Sequence, residues 1–143
     1  KNGGNRMNQF EISKKQDEIN QINYWDGRVL DLQILFFGDE IHLYLEDFKA
    51  NQYNLDECWK VSFIGCAEVK YETDVRFRKK IKVKNFAKNY LYTCQDISLE
   101  YYEESFAKCT VNLEGLVILS VVCQNIEVER VITKNQNFFW ENN

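Results

Sequence analysis

The chain has 143 residues, of which 45% are hydrophobic and 15% aromatic, and its formal net charge is −4. A chain of this length buries about two thirds of its unfolded surface in one core, so we expect a single domain over residues 1–143 and exclude a disordered protein. The acidic balance argues against a general role in binding nucleic acid duplexes, because such proteins neutralise phosphates with an excess of Lys and Arg.

The sequence also argues against membrane insertion and secretion. It contains no uninterrupted apolar stretch of roughly 18 residues, and its polar N-terminus lacks the apolar segment of a signal peptide. We therefore expect a cytoplasmic protein with no membrane partner, unless processing has removed a signal.

The five cysteines form no CxxC pair and are odd in number. Because they are spread through predicted strands, we expect them to remain reduced and to pack as small hydrophobic residues. The alternative is one or two disulfides in a secreted protein. A zinc site is disfavoured because His42 is the only histidine and the short ligand spacings are missing, so we expect no metal or other cofactor.

The N-terminal part predicts a flexible start and a short helix. Residues 1–9 are polar, and Met7 is expected to be the natural initiator, with residues 1–6 added ahead of it. Ile19 and Ile22 then have helical spacing, and Ser13 with Gln16 three residues later fits a capping box.

A long β-hairpin over residues 26–47 is the clearest element of the sequence. A dense apolar run up to Phe37 predicts its first strand, and Gly38-Asp39 supplies residues that tolerate the backbone of a tight turn. The second strand alternates between a buried and a wet face. The buried face is expected to contain Ile41, Leu43 and Leu45, and the wet face Glu40, His42, Tyr44 and Glu46.

Short strands at roughly ten-residue spacing are predicted for the rest of the chain. They cover residues 58–63, 74–85, 97–102, 106–113, 116–123 and 126–133. Residues 48–57 are expected to be a polar loop, and Gly65 to mark a bulge or a close backbone approach. Gln124-Asn125 is expected to turn, and residues 138–140 to fold back as a plug. About eight strands without βαβ alternation predict a mainly β fold, an antiparallel meander forming a barrel or sandwich, with the short N-terminal helix.

His42 is the best candidate for catalysis, because Glu40 and Tyr44 are its neighbours on the wet face. A lone histidine on an exposed strand is usually solvated, and adjacent carboxylates on a strand point to opposite faces. No phosphate-cradling Gly-rich loop occurs either. We therefore expect no catalytic residues and no enzyme.

A row of basic residues alternates with apolar ones over residues 74–85, and this row is the strongest charged feature of the sequence. It consists of Arg76, Arg78, Lys80, Lys82 and Lys84. Such a strand, with Tyr90 and Tyr92 nearby, could bind single-stranded nucleic acid. Glu100 on a neighbouring strand could instead neutralise it by cross-strand pairing, so nucleic acid is not the favoured partner.

Acidic residues around the predicted loop 48–57 suggest a different binding surface. If they converge, they form a negative rim around two aromatic anchors, which would steer and grip a basic protein. The residues of this predicted acidic rim are Glu46, Asp47, Phe48, Tyr53, Asp56 and Glu57.

The segments YWDGRVLDLQILFFGDEIHLYLED and CWKVSFIGCAEV, within residues 24–69, resemble small bacterial β-rich proteins of the toxin-immunity type. In that pattern an aromatic-Asp element, here Trp25-Asp26, precedes two amphipathic strands and a W-x-V-x-F-like strand, here starting at Trp59. The resemblance implies a cytoplasmic inhibitor that binds a cognate protein toxin, commonly a nuclease. The alternative is a small β-barrel that binds an apolar small molecule or single-stranded nucleic acid. The oligomeric state stays open.

Overall fold

The computed structural model of the protein describes residues 8–22, 24–49, 52–77 and 92–139. These residues form one α-helix and six strands, and the strands are antiparallel to their neighbours. The elements are α1 (Gln9–Asn20), β1 (Gly27–Leu35), β2 (Glu40–Lys49), β3 (Gln52–Thr73), β4 (Thr93–Glu103), β5 (Phe106–Glu114) and β6 (Leu116–Ile132). The predicted fold class, a mainly antiparallel β protein with an N-terminal helix, is therefore confirmed.

The sheet closes on itself in the order β1-β2-β3-β6-β5-β4. The order departs from a simple meander at one place, because β3 pairs with β6 along most of its length instead of with β4. The ring is completed where β1 meets β4, at the pairs Gly27–Cys94 and Arg28–Thr93. No helix in the described ranges is long and apolar enough to cross a membrane.

Two predicted interruptions of the sheet are wrong. The polar segment 48–57 is not a loop, because β2 runs to Lys49 and pairs with β3, which begins at Gln52. Gln124-Asn125 does not turn either, because β6 runs through both residues while Asn125 pairs with Ile64. Gly65 has a φ of +68°, but the bulge of β3 lies beyond it, because the register with β6 is regular at Gly65 and shifts between Cys66 and Glu68.

The turn between β1 and β2 lies one residue earlier than predicted. Phe37 and Gly38 occupy its centre with φ values of 60° and 105°, and the Asp39 amide donates to the Phe36 carbonyl at 3.1 Å. Positive φ at both central positions is the signature of a type I′ turn. Phe36 and Phe37 therefore lie outside the strand and are 67% and 111% exposed, instead of belonging to the apolar run of β1.

The predicted strand over residues 74–85 is contradicted where the structure describes it. Asp74 to Phe77 form a turn in which the Phe77 amide donates to the Asp74 carbonyl at 2.7 Å. Val75 and Phe77 are exposed, not aligned on a buried face. Residues 78–85 lie outside the described part of the chain.

The helix packs one side onto β4 and closes part of the core. Ile19 and Ile22 are buried as predicted, but the N-cap is Asn8, whose side chain accepts from the Glu11 amide at 3.0 Å, and not Ser13. Gln16 holds the helix in place, because its side chain donates to the Ile97 carbonyl at 2.9 Å and accepts from the Leu99 amide at 2.7 Å.

The five cysteines are free thiols, and all but Cys66 are buried, in agreement with the prediction of reduced packing residues. Burial raises the pKa of the Cys66 thiol to about 11 and that of Cys94 and Cys123 to about 12. Few thiolates therefore exist near neutral pH, and these side chains act as core residues and not as nucleophiles.

Candidate partner-binding surfaces

Asp47, predicted as part of a solvent-facing rim, is instead completely buried at the end of the ring. Its Oδ1 accepts from Trp59 Nε1 at 3.1 Å, and its Oδ2 lies 2.8 Å from Nη1 of Arg130. Both carboxylate oxygens thus have partners. Arg130 also lies 3.3 Å from Glu57 Oε1, and its guanidinium carbon sits 4.4 Å from the centre of the Trp59 ring. Asp47 therefore holds β2, β3 and β6 together.

Glu46 is also buried, which contradicts its predicted place on the wet face of β2. The cause is Arg28 on β1, whose Nη2 lies 3.1 Å from Glu46 Oε2 and whose amide donates to Oε1 at 3.4 Å. Burial raises the pKa of Glu46, and the nearby Arg28 charge partly opposes that shift. Glu46 therefore joins β1 to β2 and presents no free charge to a partner.

Asp56 and Glu57 are the members of the predicted acidic rim whose side chains reach the surface in the described ranges. Together with Ile132 and Lys134 they line a shallow depression at the same end of the ring. Phe48 and Tyr53 pair with each other in the register of β2 and β3. Their side chains lie outside what the structure describes.

The predicted basic row is described at its first member alone. Arg76 is exposed, and its Nη1 lies 3.1 Å from Glu72 Oε2, four residues earlier. Arg78, Lys80, Lys82 and Lys84 lie outside the described ranges, and so does Tyr90.

His42 lies on the outer face of β2 with Glu40, as predicted, but Tyr44 beside it is buried. Phe138 covers Tyr44 with an edge-to-face contact at 5.1 Å, so the predicted plug is confirmed at this residue. His42 Nε2 lies 3.4 Å from Glu40 Oε1. Burial lowers the pKa of His42, the Lys60 charge lowers it further, and Glu40 opposes both.

We expect His42 to lower the free energy of unfolding as the pH falls below about 6.5, the ordinary pKa of histidine. The folded state binds the proton less readily than the unfolded state, so stability present above that pH is lost as the pH decreases. The variant His42→Gln should lose this part of the pH dependence. Urea unfolding of both proteins between pH 7.5 and about 5 measures the difference, and parallel curves would contradict the prediction.

An apolar cleft opens beside the joint between β1 and β4, with a volume of about 230 Å³. Its walls include Leu30, Leu32, Leu113, Leu116 and Tyr92. Ligand pockets usually measure about 300–1,000 Å³, so this cleft is small for a metabolite of ordinary size.

The turn between β1 and β2 is an exposed surface that the sequence did not single out. A shallow groove beside it is lined by Ile34, Phe37, Ala67 and Val69, with the carboxylates of Asp39 and Glu68. The sequence pattern predicts that Phe36 and Phe37 belong to the strand, because apolar residues in a strand-like run are usually buried. The one available signal was a Phe-Phe pair next to the glycine of a predicted turn.

Comparison with known proteins identifies a matching family and a similar solved structure. The family described as Immunity protein PIM7 matches residues 11–130, from the first turn of α1 to the arginine that contacts Asp47. No curated protein matches the chain with statistical significance. Among solved structures, an uncharacterized protein from Neisseria gonorrhoeae is similar, with 12% identity and a TM-score of 0.49, over 76% of this chain and 95% of that one.

Proposed function

This chain belongs to the Immunity protein PIM7 family, and on that premise we propose that it binds a cognate bacterial protein toxin and neutralises it. The observation that carries the proposal is the extent of the family match, which covers the helix and nearly all of the ring. Inhibition by occlusion requires a complementary surface but no catalytic group. The protein therefore acts as a binding inhibitor and not as an enzyme.

The charge of the chain supports a basic partner. The net charge is −4, and attraction between an acidic inhibitor and a basic toxin would speed their encounter. Nuclease domains are basic because they bind phosphates, so a nuclease is the toxin class that this charge fits best. Such a toxin would act inside the cell, which makes the cytoplasm the compartment of the complex.

Capture of the partner tests the proposal. The tagged protein is purified from its own host at low and at high salt, and the proteins retained are identified by mass spectrometry. The captured protein is then expressed alone and together with this chain. We expect growth arrest in the first case and normal growth in the second. A captured protein that is harmless when expressed alone, or whose toxicity this chain does not relieve, would overturn the proposal.

The exposed part of the acidic rim, Asp56 and Glu57, is proposed to attract the toxin at long range and so to speed its encounter with this chain. Changing Asp56→Lys together with Glu57→Gln should lower the association rate about tenfold at low salt, and the loss should shrink as salt is added. The matched control is Asp17→Lys with Glu18→Gln on α1, which alters the net charge equally on exposed or half-exposed residues. Stopped-flow binding measures both. If both double substitutions slowed association equally, the net charge of the chain and not the position of Asp56 and Glu57 would set the association rate.

A further inference from the structure

We infer that the turn between β1 and β2 anchors the partner, with Phe37 inserted into an apolar pocket of the toxin whose rim carries Lys or Arg side chains. The inference rests on the proposed function for the existence of that toxin. It adds the residue that makes the central contact and the chemistry of the site that receives it.

Phe is an unfavourable residue for the backbone conformation at position 37. The φ and ψ of Phe37 are 60° and 19°, and its neighbour Gly38 completes a type I′ turn. That turn favours Asn or Asp at the position of Phe37, because a short polar side chain tolerates the left-handed region and an aromatic one does not. Phe36 also has a positive φ, of 53°. Local backbone preference therefore does not explain the aromatic residues here.

Packing does not explain the aromatic residues of this turn either. Phe37 is 111% exposed, so its ring gains no burial from the folded chain. An aromatic ring that opposes the turn and contributes nothing to the core has no folding role. Backbone strain combined with an exposed apolar side chain is found at binding sites, where a partner supplies the burial.

The backbone of the turn is held in place by hydrogen bonds before a partner binds. The Asp39 amide donates to the Phe36 carbonyl at 3.1 Å, and the Asp39 carbonyl accepts from the Cys66 amide at 3.0 Å. The second bond ties the turn to β3 at Cys66. Because the turn is fixed from both strands, a partner would lose little entropy in ordering it.

The surroundings of Phe37 define the chemistry of the partner. Ile34, Ala67 and Val69 extend the apolar surface into the groove, while Asp39 and Glu68 supply carboxylates along it. Lys70 Nζ lies 4.0 Å from Glu68 Oε1, so the groove contains two acidic residues, Asp39 and Glu68, with one ammonium group beside Glu68. An apolar centre with a negative border fits a pocket with an apolar floor and a positive rim.

The variant Phe37→Asn separates binding from folding, because Asn is the residue that the turn prefers. We expect its unfolding midpoint to be equal to or higher than that of the wild-type protein. We expect its affinity for the toxin captured above to fall about thirtyfold, mainly through faster dissociation. The conservative variant Phe37→Trp should retain most of the affinity.

The control is Trp25→Ala, since Trp25 is another exposed aromatic residue, at 65%, in a different turn. It should leave the affinity unchanged. Unaltered binding by Phe37→Asn, or an equal loss with Trp25→Ala, would overturn the anchor while the proposed function stands. If the wild-type protein itself fails to bind or neutralise the captured toxin, the proposed function fails and the anchor falls with it.

Discussion

Replacing Arg130 with Ala is expected to lower the free energy of unfolding by about 3 kcal/mol. Asp47 is completely buried, and Arg130 is the cation 2.8 Å from its Oδ2. Without the guanidinium, the carboxylate keeps the hydrogen bond from Trp59 but remains charged in a poorly solvated position. The contact between Arg130 and the Trp59 ring is lost as well. Urea unfolding at pH 7 measures the change.

Two further variants test whether the buried charge causes this loss. Arg76→Ala removes an ion pair of similar length, 3.1 Å to Glu72, on an exposed turn, and it should cost no more than about 0.5 kcal/mol. Adding Asp47→Asn to Arg130→Ala should recover about 1 kcal/mol, because the neutral amide no longer needs a cation. If Arg130→Ala and Arg76→Ala lowered the free energy of unfolding by similar amounts, the burial of the Asp47 carboxylate would not be the cause of the loss.

Replacing Phe138 with Ala is expected to cost about 3 to 4 kcal/mol. The Phe138 side chain is completely buried on the outer face of the sheet, where it packs with Leu30, Tyr44, Cys58 and Val131. Its removal would leave a cavity and expose Tyr44. The C-terminal segment would then be held mainly by polar contacts. One of these is the hydrogen bond that the Phe139 amide donates to Asp31 Oδ2 at 3.2 Å. Thermal and urea unfolding provide the measurement.

The adjacent Phe139→Ala is the natural control, since Phe139 is 48% exposed and its amide bond to Asp31 survives the substitution. We expect a loss of about 1 kcal/mol or less. If Phe138→Ala were equally mild, the C-terminal segment would contribute little to stability, and the covered face of β2 would be open in solution.

The local pattern of apolar residues and glycines predicts much of the fold. The alternation of Ile41, Leu43 and Leu45 predicted the buried face of β2, and all three are fully buried. Gly115 lies between the predicted strands 106–113 and 116–123, and it has the positive φ of 103° that a tight turn requires. The resemblance to toxin-immunity proteins over residues 24–69 is confirmed by the wider family match over residues 11–130.

The errors have a common physical origin in contacts between distant parts of the chain. Period-two alternation placed Tyr44 and Glu46 on a wet face, but Phe138 covers the first and Arg28 pairs with the second. The polarity of residues 48–57 indicated a loop, because sequence pattern does not reveal that the backbone pairs with a neighbouring strand. For the same reason, closeness in sequence predicted that the carboxylates of the acidic rim share one surface. Asp47 instead points inward and pairs with Arg130.

The strands of the ring are paired over unequal lengths, and the joint between β1 and β4 is short. In the described part of the chain it consists of two ladder pairs, with the Asp26 amide donating to Cys94 at 2.8 Å and the Val29 amide to Tyr92 at 2.9 Å. By contrast, β3 and β6 remain paired from Glu57–Ile132 to Thr73–Leu116. Among the strands that the structure describes, we therefore expect the joint between β1 and β4 to open first and β3 and β6 to separate last.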